Sequence, residues 1–110
     1  MKSLDEMQQE QKELISGVEH PRLGDVLGLT EEVGELAKEV MEIEMYGENR
    51  QKELGIEVAD VLFSLISLCN SYSLDLAAVY QDKLTTIREK VPEWHTKYGD
   101  SLKKLRDKYD

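Results

Sequence analysis

One segment constrains this chain more than any other: the run from Gln51 to about Ser71. Ile56, Val58, Ala59, Val61, Leu62, Phe63, Leu65, Ile66, Leu68 and Cys69 recur in it without strict alternation. On a helix at about 100° per residue they wrap most of the circumference. A helix apolar nearly all round is expected to be buried. The exception is a narrow stripe of Glu57, Asp60, Ser64 and Ser67, whose spacings of 3, 4 and 3 place them on one line. Two carboxylates three residues apart on such a helix repel each other and resist desolvation, which is severe for an unpaired buried ion. The stripe holds no Lys or Arg, so a compensating cation has to come from outside the helix.

The remaining sequence fits around that helix. Its 110 residues suit one domain. Against 14 Lys and Arg stand 23 Asp and Glu, a net charge of −9. That balance repels phosphate backbones and anionic bilayers, so neither a nucleic-acid polymer nor a membrane is an expected partner. A nucleotide substrate stays compatible, because a divalent metal can invert the sign of a local site. The single Cys excludes an intramolecular disulfide and a Cys-based zinc site. No apolar run approaches the roughly 18 residues of a membrane span, and the N-terminus is polar and acidic, so a soluble, cytoplasmic protein is expected.

The periodicity reads as all-α. A first helix is expected over about Ser3 to Ser16, ended by Gly17 and the His20-Pro21 pair. A second runs from about Leu23 to Tyr46 and is closed by Gly47, and a third covers 51–71. A fourth runs from about Ser73 to Lys90, before Pro92. Beyond it a loop carrying Trp94 and His95 should lead into a Lys-rich tail. The expected architecture is a four- to five-helix bundle in one domain over 1–110, with its core motif region at about 23–90 and a C-terminal loop and tail over 91–110.

On the second helix, Leu29, Val33, Leu36, Val40 and Ile43 form one apolar stripe. Glu32 and Glu39 lie beside it, with Glu35 slightly further round. Glu32 and Glu35 are three apart and share a face. If this face meets Glu57 and Asp60, four carboxylates occupy one site. All-oxygen ligands favour Mg²⁺ or Mn²⁺ over zinc or copper. A di-iron bundle would need Glu-x-x-His pairs, and the only histidines are His20 and His95. No EF-hand loop or Walker A sequence is present.

Glu-Glu-Val-Gly-Glu at 31–35, followed by Glu-Val-Ala-Asp-Val-Leu-Phe at 57–63, resembles the MazG-like nucleotide pyrophosphohydrolases, of the all-α NTP pyrophosphatase superfamily. The likeness extends from about Leu23 to Arg88. It implies a MazG-like helical fold completed by oligomerisation as a homodimer or homotetramer. It also implies hydrolysis of an NTP or dNTP to the monophosphate and pyrophosphate, with Mg²⁺ as cofactor and Mn²⁺ as a possible substitute. Carried over by position, Glu32, Glu35, Glu57 and Asp60 are the metal ligands. Lys83 and Arg88 stand where phosphate contacts are expected. Asp82 departs from the Asn that related sequences often carry before the Lys.

Metal-activated water attacking the α-phosphorus fits this chemistry, and a carboxylate not fully committed to metal would orient or deprotonate that water. Glu35 is the first candidate for that role and Glu39 the alternative. Trp94 could stack a base, or anchor the C-terminal segment, the reading preferred here. The breadth of the third helix's apolar arc, through Leu62, Leu65, Ile66 and Cys69, calls for cover by a second copy. Two other readings compete with an enzyme: a non-catalytic nucleotide- and metal-binding oligomer of the same fold, and a purely structural helical dimer, which leaves the acidic stripe unexplained.

Overall fold

A computed structural model describes all residues, 1–110. It contains four α-helices and no strand: α1 (Leu4–Leu14), α2 (Arg22–Tyr46), α3 (Gln51–Ser71) and α4 (Leu76–Tyr109). Two compact units result, Met1–Leu76 and Ala77–Asp110.

In the first unit, each helix starts and stops for a local reason. Ser3 caps α1, its hydroxyl accepting from the Glu6 amide at 3.2 Å, while the Glu6 carboxylate accepts from the Ser3 amide at 3.1 Å. This reciprocal pair satisfies two of the amides a helix start leaves open. Gly47 ends α2 at φ 66°, a left-handed conformation that a residue without Cβ adopts freely. Only Gly47–Arg50 separates α2 from α3, so the two pack as a helical hairpin.

The short α1 is pinned to α3 by buried amides. The Gln11 side-chain NH₂ donates to the Phe63 carbonyl at 2.8 Å and to Ser67 Oγ at 2.9 Å. Gln8 donates to Asn70 Oδ1 at 2.9 Å and to the Leu74 carbonyl at 2.7 Å, and accepts from the Leu76 amide. These bonds lock α1 in register on α3, since a buried amide left unpaired is costly.

Two of the expectations need correction and a third is met. The fourth helix does not stop before Pro92, and there is no loop over 91–110: α4 runs unbroken to Tyr109 with Pro92 inside it. The proline removes one amide donor, so the Arg88 carbonyl loses its usual partner, but Arg88 and Pro92 are both exposed, which leaves that stretch open to solvent. Strong helix formers on both sides, with a Lys97–Glu93 pair at 2.6 Å one turn on, carry the helix through. Trp94 and His95 are therefore helical.

Second, the apolar surface of α3 is not enclosed within the chain, as the breadth of its apolar arc leads us to expect. Only Ile66 and Cys69 are buried, while Ile56 and Val58 are each 52% exposed. α2 and α1 cover two sides of α3, and a cylinder has more sides than that.

Third, α3 is long and apolar enough, by length and composition, to cross a membrane. Its acids and serines interrupt every unbroken apolar run, but they are too few to offset the average over 18 residues. Against lipid, Glu57 and Asp60 would be desolvated without a partner.

Candidate metal centre

The α2–α3 hairpin sets the register of its acidic residues. Carboxylate oxygens of Glu32, Glu57 and Asp60 lie within 4.8 Å of one another. Glu32 comes from the middle of α2, and the other two from successive turns in the first half of α3. None of the three takes part in an ion pair: Lys and Arg pair with Glu10, Glu39, Glu48 and Glu93 instead. Desolvation, and then the charge of Asp60, push Glu32 above the ordinary carboxylate range, with Glu31 and Glu35 adding to the effect. Glu57 is raised by the same causes in the same order, with Glu32, Glu35 and Glu39 contributing further. The cluster therefore concentrates negative charge that the chain itself does not neutralise.

Such a set fits a divalent cation. Oxygens around a hard ion at about 2.1 Å stand roughly 3 to 4.2 Å apart in an octahedron, so three donors within 4.8 Å need little movement to share one. No His or Cys belongs to the cluster, which favours Mg²⁺ or Mn²⁺ chemistry over zinc.

The other expected site residues are placed as follows. Glu35 is exposed and outside the three-carboxylate set, yet close enough for its charge to raise both Glu32 and Glu57. Glu39 is held in a two-pronged pair with Arg50, Nε to Oε2 at 2.6 Å and a terminal nitrogen to Oε1 at 2.9 Å. That pair holds the Glu39 carboxyl below its usual range and raises the Arg50 guanidinium. A carboxylate so held is a poor proton acceptor, which leaves Glu35 the freer of the two. Lys83 and Arg88 are exposed on α4 and carry no ion pair, and Trp94 is 41% exposed on the same helix. Burial pushes the Cys69 thiol up, so it packs as an apolar residue and is a weak nucleophile.

One residue missing from the sequence-derived set is Asp25. It sits in the first turn of α2, is only 6% exposed, and accepts a hydrogen bond from the Ser71 hydroxyl. A signal for it exists in the sequence: Asp25 falls one turn before Leu29 on the inward stripe, where an apolar residue is expected.

Comparison with known proteins agrees with this geometry. A family model, the MazG nucleotide pyrophosphohydrolase domain, matches residues 25–98. No curated protein sequence matches the chain. Among solved structures, the chain resembles the crystal structure of the Bacillus-conserved MazG protein, a nucleotide pyrophosphohydrolase. The two are 32% identical with a TM-score of 0.68, over 79% of this chain and 90% of that one. The matched span contains both acidic motifs, all of α3 and all but the first turn of α2, and the chain belongs to the MazG nucleotide pyrophosphohydrolase family.

Proposed function

We propose that this chain hydrolyses a nucleoside or deoxynucleoside triphosphate to the monophosphate and pyrophosphate, with Mg²⁺ as its cofactor and Mn²⁺ as a substitute. The observation that carries this reading is the unneutralised cluster of Glu32, Glu57 and Asp60 in a chain of this family. When bound there, the cation would neutralise the carboxylates, hold phosphate oxygens and acidify a water.

The residues then divide the work. Glu32, Glu57 and Asp60 would hold the cation, with Glu35, whose charge reaches both Glu32 and Glu57, as the fourth ligand. Glu35 also orients the attacking water and takes its proton, because it is outside the tight cluster and unpaired, whereas Glu39 is bound by Arg50. Attack in line on the α-phosphorus expels pyrophosphate. Lys83 and Arg88 supply cationic contacts to the phosphates. A homodimer or homotetramer covers the open apolar face of α3, and the protein works in the cytoplasm.

The test is pyrophosphate release from a panel of NTPs and dNTPs with Mg²⁺, Mn²⁺ or EDTA. Release from part of the panel, abolished by EDTA, is expected. Silence from folded protein that binds Mg²⁺ would instead favour a binding module that keeps the fold without turnover.

A further inference from the structure

We infer that the cavity beside Asp25 holds the nucleobase of the substrate, and that Asp25 selects bases carrying an exocyclic amino group. This rests on the nucleotide reading above and names the substrate class for that site.

The cavity has a volume of about 390 Å³ and lies wholly within the first unit, between α1, α2, α3 and the turn joining α1 to α2. That is within the range of small-molecule sites. Its walls are of two kinds. Phe63, Ile15 and Val18 supply apolar surface, the first a flat ring, while Asp25, Ser67 and Ser71 supply polar atoms on the helices and Lys12, Glu19 and His20 place charged or titratable groups around them.

Asp25 is the one buried residue on this lining, and it has acceptor capacity to spare. Ser71 donates to its Oδ2, but no group in the chain donates to Oδ1. No enclosed side-chain oxygen or nitrogen lacks a partner anywhere in the protein. Oδ1 is therefore not sealed in, although the residue is 6% exposed, and the cavities that Asp25 lines are what it opens to. By contrast Ser67 Oγ already accepts from Gln11, and Asn70 Oδ1 from Gln8.

The cavity also leads to the carboxylate cluster. A second depression of about 450 Å³ shares His20, Asp25, Phe63 and Ser67 with the first, and reaches Glu32. Along α2, Asp25 precedes Glu32 by two turns, and along α3 Ser67 follows Asp60 by two turns. At 1.5 Å per residue that is about 10 Å on each helix. A nucleotide lying along this groove with its phosphates at the cluster brings its base to Asp25 across the length of the sugar.

A buried carboxylate oxygen that lines a pocket accepts hydrogen bonds and repels lone pairs. Cytosine presents an amino group at the end of its pairing edge. Uracil presents a carbonyl there, and its one edge N–H stands between two carbonyls that would face the carboxylate. Sites built to receive a substrate N–H discriminate strongly against the analogue lacking it.

The experiment is calorimetric titration of dCMP and dUMP into the full-length protein with Mg²⁺, beside the pyrophosphate assay with dCTP and dUTP. We expect dCMP to bind at least tenfold more tightly than dUMP. Asp25→Leu should bring that ratio to about one. That variant keeps Ser71 satisfied, since its one hydroxyl proton can turn wholly to the Ser67 carbonyl, 3.0 Å away. Phe63→Leu should weaken both ligands by a similar factor and keep the ratio, and it stands in if Asp25→Leu does not fold. Equal binding of dCMP and dUMP to wild type, or a ratio unmoved by Asp25→Leu, overturns the inference even if pyrophosphate is released. Selective dCMP binding without pyrophosphate release from any triphosphate keeps the pocket and removes the hydrolase reading.

Discussion

Glu57 shows how a single side chain can lower the stability of the free protein while serving the site. Its carboxyl, like that of Glu32, holds its proton above the ordinary range, first through desolvation and then through the nearby acids. A group raised in the folded state contributes stability below its unfolded pKa, and loses it as pH rises through the folded value. In EDTA, Glu57→Gln should therefore melt higher than wild type, with a gap that widens from about pH 4 to pH 7. A gap independent of pH would remove this account. The same variant, and Asp60→Asn, should abolish pyrophosphate release while circular dichroism remains native; loss of fold would assign these acids to structure instead.

Glu39 carries the opposite sign. Its carboxyl is lowered by the Arg50 hydrogen bonds, so its contribution is present above the unfolded pKa and disappears as pH falls through the folded one. Arg50→Ala should lower Tm at pH 7 and have less effect at pH 3. Arg50→Lys should recover only part of the loss, because an ammonium cannot reproduce the two-pronged geometry.

At the scale of elements, α2 and α3 form the frame and α4 carries the most evident local conflict. Pro92 stands inside a 34-residue helix and is exposed, so its replacement removes no packing. Proline in a helix interior costs about 3 kcal/mol relative to alanine. Pro92→Ala should deepen the 222 nm ellipticity and raise the midpoint of the helix signal, both read in one thermal melt. The hairpin turn responds the other way. Gly47 has φ 66°, where a Cβ is strained although nothing crowds it, so Gly47→Ala should destabilise by about 1 kcal/mol in urea titration.

For the molecule as a whole, enclosure of apolar surface is the open account. Ile66 and Cys69 alone among the apolar side chains are buried, while Val33, Val40, Ile56 and Val58 stay between 43% and 52% exposed. A second copy placing its own α2–α3 surface there would bury what one chain leaves open, and closed symmetry lets it do so without further growth. Sedimentation at micromolar concentration should give a dimer or tetramer, and a monomer would count against assembly. Metal binding should act on the same global equilibrium. Mg²⁺ at about a hundred times its Kd should add about 2.7 kcal/mol, visible as a rise in Tm that EDTA reverses. With Glu57→Gln that rise should shrink.

Legible along the chain were the all-α class, the limits of α2 and α3 to within a residue, and the two acidic motifs. Each of these is local: helical periodicity, a glycine stop, and carboxylates three residues apart are written along one strand of chain. The sequence also misplaced what local rules weigh poorly. Pro92 signalled a break because a missing amide is a local fact, whereas the helix formers on either side act over many residues. Tertiary structure alone decided that Glu32 meets Glu57 and Asp60 while Glu39 turns to Arg50, since hairpin register selects among acids equally eligible on their helix. It alone placed Asp25, on one helix, against Ser71 on another, leaving one carboxylate oxygen open to a cavity. Proximity between residues dozens of positions apart is a property of packing, and packing is where the site is made.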